Sequence, residues 1–254
     1  MPNSNITTII PTTCEKRRWP QLNRAIDSLR AQRNEGTEIL LIVNGDRFDK
    51  ESFKILCGRR DLRVHYVEIG SVTLAQRIGR DLVTSEFFGF LDDDDAYLDD
   101  ALVHRLKPMQ DDHSVDFVVT NGFRKIGDTD ELVIHDPWAI QRDPISAMKK
   151  GNWLASCGGL FRSSRVGVEF FDSEITHFEW TFLAYKLLCN HRKLHFVDLP
   201  TFCIHDTPGS LSKEAAYELA ALRVLKKITD LPLPASARRD IANRITHTNH
   251  DLDD

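Results

Sequence analysis

Apolar and polar residues alternate along the first half of the chain with two different periods. Residues 5–10 (NITTII) read as a strand, and Leu22, Ile26 and Leu29, with Ala25 beside them, then fall on one face of a helix. Residues 38–43 (EILLIV) form a continuous apolar run, as a strand buried on both faces does. Residues 48–57 read as a helix and 62–67 (LRVHYV) as a short strand, and Leu74, Ile78 and Leu82, with Ala75, form the inner face of a further helix. Residues 87–91 (FFGFL) predict a fourth strand, 98–109 a helix and 115–120 (VDFVVT) a fifth strand. Strands alternating with helices of this length predict βαβ units, and hence an α/β protein with a mostly parallel central sheet flanked by helices. Ligands bind such sheets beyond the carboxyl ends of the strands. Residues 11–14, 44–45 and 92–95 all lie there and are expected to meet in one crevice.

The second half is less regular. Residues 122–135 suit a hairpin, and 152–164 (NWLASCGGLFRSS) a glycine-containing loop beside a short element. Residues 178–189 predict a helix, 194–204 one or two strands, and 212–228 an amphipathic helix with Leu219, Leu222 and Leu225 inward. The LPLP at 231–234 breaks that helix. A polar helix is expected from Ala235, and the acidic residues 251–254 are expected to be disordered.

The chain has 254 residues, 41% hydrophobic and 28% charged, which suits a folded protein with a large core; its net charge of -5 gives no global reason to expect a nucleic-acid partner. The five cysteines are scattered and odd in number, as in a reducing compartment. No basic-then-apolar leader opens the sequence, and no apolar run reaches the ~20 residues needed to span a bilayer. The expected location is cytoplasmic, with peripheral membrane association compatible.

The sharpest local feature is FFGFLDDDDAYLDD, residues 87–100, in which four consecutive aspartates follow a buried-looking strand. At ~5 Å and an effective dielectric of ~20, each neighbouring pair costs about 3 kcal/mol before screening. A turn uses one or two such carboxylates. Four call for something positive: a metal ion, basic side chains, or else water.

The ordered series ITTIIPTTCEKRRWPQLNRAIDSLRAQ, EILLIVNGDRFD, GSVTLAQRIGRDLVTSEFFGFLDDDDAYLDDAL, FEWTFLAYKLL and FCIHDTPGSLS resembles family 2 glycosyltransferases with the GT-A fold, over about 200 residues. The resemblance implies a Rossmann-like nucleotide-binding domain over residues 1–230. Residues 1–120 would form the nucleotide-sugar half and 121–230 the acceptor half. Residues 231–254 would add a C-terminal helical segment with an acidic tail. It implies an inverting, metal-dependent, hexosyltransferase-type enzyme. The donor would be a nucleotide sugar, a UDP- or dTDP-sugar ahead of a GDP-sugar, and the acceptor a hydroxyl of a glycan or lipid-linked molecule.

In that family the acidic cluster binds Mn²⁺ or Mg²⁺ bridging the donor diphosphate, and oxygen ligands do suit hard cations. By register with the family pattern, Asp92 and Asp94 form the D-x-D pair. Asp94 is the expected direct ligand, and Asp92 or Asp93 would touch the ribose or a metal-bound water. The alternative is a solvated turn with capping by Asp95 or Asp99. His205 is the second metal candidate or else structural, and Ser210 and Ser212 either meet phosphate or cap a helix. Pro11, Thr12 and Thr13 lie where relatives hold the nucleotide. Many relatives carry paired acids after the second strand; Asn44 stands here instead, able to donate and accept toward a base edge. Arg77, following Gln76, pairs with phosphate or is a solvated helix arginine.

An inverting transfer needs a carboxylate to take the acceptor proton. Relatives carry Glu-Asp at the start of the late helix, whereas this chain has Glu179-Trp180. Glu179 is the expected base, with Asp172 and Glu174 in reserve. The competing reading is a capping box, Thr176-x-x-Glu179. Trp153 and Trp180 stack on a sugar or pack in the core. Gly158 and Gly159 give close approach to sugar or acceptor, or a tight packing turn. Two other functions stay open. A nucleotidyltransferase would carry a glycine-rich basic loop after the first strand, but PTTCEKRR has the charges without glycine. A non-catalytic nucleotide-sugar-binding protein would have lost its base.

Overall fold

Four of the strands read from the sequence lie side by side with their carboxyl ends on one edge, and a fifth points the same way beyond one intervening strand. The structure, a computed structural model, describes residues 5–32, 35–127, 129–207 and 217–253. The strands are β1 (Ile6–Thr12), β2 (Glu38–Asn44), β3 (Leu62–Val67), β4 (Phe87–Phe90), β5 (Ala96–Tyr97), β6 (Phe117–Ile126), β7 (Thr129–Leu132), β8 (Gly159–Arg162) and β9 (Leu194–His205). They form one sheet in the order β3-β2-β1-β4-β8-β6-β9-β5, with β7 paired to β6. β3, β2, β1 and β4 are mutually parallel, and β6 and β9 are parallel to each other. β8 runs antiparallel between β4 and β6, so β6 points the same way as β4. The short β5 and β7 are antiparallel to their neighbours.

The helices are α1 (Trp19–Arg30), α2 (Lys50–Gly58), α3 (Val72–Asp81), α4 (Ala101–Asp111), α5 (Pro137–Arg142), α6 (Pro144–Ala147), α7 (Glu179–Cys189), α8 (Tyr217–Thr229) and α9 (Ala235–Asp253). They cover both faces. Along β2, Leu40 and Ile42 join one apolar cluster with Ala75 of α3 and Leu183 of α7, whereas Leu41 and Val43 join a second with Leu22 of α1 and Leu102 of α4. That is why β2 is apolar at successive positions: each face has its own core. Beyond β2, Gly45 takes a positive φ of 81° and its N–H donates to the Val67 carbonyl, 2.9 Å, closing the turn at the sheet edge.

Several elements differ from the sequence reading. The strand expected at 115–120 and the first arm of the hairpin are one strand, β6, which turns at Gly127 into β7. Residues 194–205 form a single strand with register shifts opposite Thr120 and Asn121. β5, α5 and α6 carry too few residues to show a period. The helix expected to begin near Phe48 begins at Lys50, because the Asp49 carboxylate caps the Ser52 N–H at 2.9 Å. The end of the chain expected to be disordered is helical through Asp253, with no Gly or Pro interrupting residues 235–253. Ser210, Ser212 and the side chain of Leu219 lie outside the described residues.

Candidate functional site

The carboxyl ends of β1, β2 and β4 open into a crevice of about 830 Å³, whose far wall is the start of α7 and the end of β9. It brings together Pro11, Thr12, Thr13, Asn44, Asp92, Asp93, Asp94, Glu179, Trp180 and His205. Helix α9 also reaches it with Arg244.

Each of the four aspartates has its own partners. Asp92 accepts from the Ser156 hydroxyl at 2.6 Å; burial, then Asp95 and Asp94, lift its carboxyl well above the usual range. Oδ1 of Asp93 accepts from Nε (3.1 Å) and Nη2 of Arg18, and its Oδ2 from Nε (3.1 Å) and from the Thr12 hydroxyl (2.6 Å). One N–H of Nε is shared between the two oxygens, so both are engaged within the protein and Asp93 anchors the turn while still lining the crevice. Asp94 meets Arg18 Nη2 at 3.2 Å, and its backbone carbonyl accepts from Arg24. Asp95 accepts from the His205 N–H at 3.0 Å and faces the Cys157 thiol at 3.6 Å. Burial, then Asp94, push Asp95 up to about 7.

That shift has a testable sign. Asp95 holds its proton more tightly folded (about 7) than at the ordinary value of 3.8, so the stability it contributes is present below 3.8 and is lost as pH rises toward 7. Asp95→Asn keeps an oxygen for the His205 N–H and removes the charge. Its melting temperature, relative to the parent protein in metal-free buffer, will rise between pH 5 and pH 8. A constant difference across that range would refute the assignment.

His205 places its ring at the crevice with a buried Nδ1 that has no hydrogen-bond partner among the described residues. Burial, then Arg24 and Lys125, lower its proton affinity and keep the ring neutral. Among the described residues no group of three His, Cys, Asp or Glu side chains is gathered as a ready metal centre. What the site offers is smaller: one carboxylate, Asp94, and one neutral ring with an orphaned nitrogen. That donor pair fits a hard cation completing its shell from water and substrate phosphate.

Asn44 is pinned, because its Nδ2 donates to the Thr12 carbonyl at 3.1 Å. Its Oδ1 accepts from no described group, so the amide presents an acceptor at the crevice.

Glu179 is the first residue of α7, and the residue before it, Phe178, has a left-handed backbone (φ 58°) and no side-chain cap. The capping box therefore does not form, since a box places its Glu three residues after the cap. The Thr176 hydroxyl bonds His177 Nδ1 instead, at 3.1 Å. Burial raises the Glu179 carboxyl, partly offset by its own backbone N–H and by a hydrogen bond from Gln76. The reserves lie outside the crevice, with Asp172 and Glu174 paired to Lys227 at 2.6 and 3.2 Å.

Four further expectations are corrected. Arg77 does not face the crevice: its Nη1 donates to the carbonyls of Phe171 (2.7 Å) and Val168 (3.3 Å). Trp153 is buried, with its indole N–H on the Pro144 carbonyl at 2.9 Å, so it packs the core. Gly158 and Gly159 are also buried and absent from the crevice wall. An added Cβ would lie 3.0 Å from the Phe202 ring at Gly158 and 2.7 Å from the Phe161 ring at Gly159, so their smallness serves packing. Trp180 does line the crevice, while its ring meets Phe90 edge-on at 5.2 Å. Conversely, Arg18, Arg24 and Ser156 complete the acidic turn and were not singled out by the sequence reading. The one signal, and for Arg18 alone, is the basic run KRR in the loop after the first strand.

The comparisons with known proteins bear on this arrangement. Residues 7–169 match the family model for "Glycosyl transferase family 2". Among solved structures, residues 1–349 of S. aureus TarS share 15% identity at a TM-score of 0.68, with 97% of this chain and 72% of that one covered. The same fragment in complex with UDP-GlcNAc gives 14% identity and a TM-score of 0.69, again over 97% and 72%. A longer TarS structure gives 16% identity and a TM-score of 0.67, and this chain spans 43% of its length and is itself 96% covered. At such identities the likeness is one of fold. No curated protein sequence matches. The family match takes in more than half of the chain, including β1, β2 and the aspartate turn, and the fold around it is the GT-A fold: the chain belongs to glycosyl transferase family 2 and is a glycosyltransferase.

Proposed function

We propose that the protein is an inverting, divalent-cation-dependent transferase that moves a sugar from a UDP-type donor to an acceptor hydroxyl. The carrying observation is the pairing of Asp94 and Asn44 on one wall of the crevice with the buried carboxylate of Glu179 on the other. That the TarS structures include complexes with UDP and with UDP-GlcNAc supports the choice of nucleotide. The Asn44 oxygen supports it too. It can accept from the N3–H of uracil or thymine, whereas cytosine presents an acceptor at that edge and meets it with repulsion.

In this reading residues 1–120 bind the donor and the later residues the acceptor. Asp94 and His205 hold Mn²⁺ or Mg²⁺, which when bound supplies charge neutralisation to the departing diphosphate. Glu179 takes the proton from the acceptor hydroxyl as its oxygen bonds to the anomeric carbon and the bond from that carbon to the diphosphate oxygen breaks. The raised proton affinity of Glu179 suits a base that must accept a proton near neutrality. The acceptor is a glycan or lipid-linked hydroxyl. No helix among the described residues is long and apolar enough to cross a membrane, so a lipid-linked acceptor would be met at the membrane surface.

A melting screen of UDP, GDP, dTDP, ADP and CMP, each with Mn²⁺ or with EDTA, tests the donor side. A ligand at ~100 times its dissociation constant adds about 2.7 kcal/mol, a shift of a few degrees. UDP and dTDP with Mn²⁺ will lead. No shift from any nucleotide with metal counts against the donor site, and an equal shift in EDTA removes the metal from the reading. Slow hydrolysis of UDP-GlcNAc separates a transferase from a protein that only binds the donor.

A further inference from the structure

Arg18 answers the question posed by four adjacent aspartates, and it does so unevenly. It grips Asp93 through three hydrogen bonds from Nε and Nη2, while its hold on Asp94 is a single contact of 3.2 Å. Asp93 is fixed from a second side by Thr12 at 2.6 Å. The guanidinium ends the short turn Lys16–Arg18 ahead of α1 and lines the crevice with 17% of its side chain exposed. Arg24, one and a half turns further along α1, ties down the Asp94 carbonyl, so the aspartate turn does not drift when side-chain partners change.

We propose that Arg18 is an internal competitor for the divalent cation: it covers Asp94 in the nucleotide-free protein and yields it only when the donor diphosphate arrives to take the released N–H groups. This deepens the proposed function and rests on Asp94 being a cation ligand. The physical reason is charge. A cation approaching Asp94 alone meets a guanidinium already seated beside that carboxylate and finds it half neutralised. A cation approaching with a diphosphate brings an anion to which Arg18 can turn one edge while its Nε stays on Asp93. The two ligands therefore bind cooperatively, each raising the affinity of the other by the same factor. An arginine suits this better than a lysine, because its planar fork can hold one carboxylate and still present an N–H elsewhere.

The test is Mn²⁺ binding to the full chain, followed by the electron paramagnetic resonance of free Mn²⁺, with and without UDP. Removing Arg18 alone would strand the buried Asp93. The main variant is therefore the double substitution Arg18→Met with Asp93→Asn, which removes the pair together and leaves an acceptor for Thr12. Arg18→Lys is the second variant; its ammonium keeps a charge beside Asp93 and Asp94 but lacks the second edge of the fork that would turn to the diphosphate. Melting in metal-free buffer checks that each folds. In the parent protein, UDP will tighten Mn²⁺ binding by about tenfold or more, within the usual range of coupling between sites. In the double variant Mn²⁺ without nucleotide will bind about tenfold more tightly than to the parent, and in both variants the enhancement by UDP will shrink to the part that the diphosphate supplies as a ligand of the cation. Parent protein that binds Mn²⁺ with UDP, together with a double variant whose nucleotide-free affinity is unchanged or weaker, overturns the role of Arg18 alone. Parent protein that binds Mn²⁺ neither alone nor with UDP overturns the cation site and this proposal with it.

Discussion

Glu179→Gln will keep UDP-sugar affinity and lower turnover by ~10²-fold or more, the scale of a positioned general base. Its stability will move the other way. Burial penalises the ionised carboxylate, so the neutral amide relieves the fold of a charge above the raised titration point of Glu179. The melting temperature at pH 8 is thus expected to be equal to or above that of the parent protein. A helix cap gives the opposite pair of results, about 1 kcal/mol of lost stability with turnover intact. The geometry already weighs against a cap, because Glu179 opens α7 itself and Phe178 precedes it in a left-handed conformation. Such strained backbone beside a buried acid persists where the surroundings over-determine it. Turnover and melting measured on one preparation decide the matter: full turnover in the variant means that the base is another residue. Asp92 would be the next to test, since it is buried in the same crevice and feels the charge of Glu179.

The parts of the fold read best were those where one residue's environment repeats every two or 3.6 positions. β2 is apolar throughout because both sheet faces are buried, and α1 shows Leu22, Ile26 and Leu29 because one face is. The parts read worst were held by backbone groups, which leave no mark in the sequence. Helix α3 is the clearest case. Thr73, Gln76, Arg77 and Arg80 lie on a common side of it and look like a solvated polar face. The structure turns that face onto the segment leading to α7. Thr73 donates to the Ser173 carbonyl (3.2 Å), Arg77 to Phe171 (2.7 Å), and Arg80 to Val166 (2.8 Å) and Ser163 (2.7 Å). Gln76 meets the Glu179 carboxyl itself. No side-chain pattern in residues 163–173 announces carbonyls as partners, so Arg77 read as a phosphate ligand.

Arg18 was hidden by distance in the chain, 75 residues from Asp93. The repulsion within the aspartate turn did require a cation, but it did not say whether that cation was a metal ion, an arginine or both. The glycine pair at 158–159 had two readings that only the positions of Phe202 and Phe161 could separate.

Asp94→Asn will abolish the metal-dependent part of UDP binding while leaving the fold intact. The side chain spends little on structure: one contact with Arg18 at 3.2 Å, which an amide oxygen can still accept, so the expected loss of stability is small. Its loss as a ligand is of another order. In the proposed site a hard cation would lose the one protein carboxylate that holds it, and an amide oxygen is a poor replacement. Titration calorimetry with UDP in Mn²⁺ and in EDTA will give the same weak affinity for the variant in both, against a clear difference for the parent. Asp93→Asn will behave differently, because Asp93 already serves Arg18 and Thr12 through both its oxygens. Its first effect will be on melting, through a guanidinium left without its main partner. Asp92→Asn keeps an oxygen for the Ser156 hydroxyl and removes a carboxylate that its neighbours already disfavour as a charge, so the metal-dependent gain in UDP affinity will survive it. If Asp92→Asn erases that gain and Asp94→Asn does not, Asp92 and not Asp94 is the ligand, and the proposed cation site is wrong.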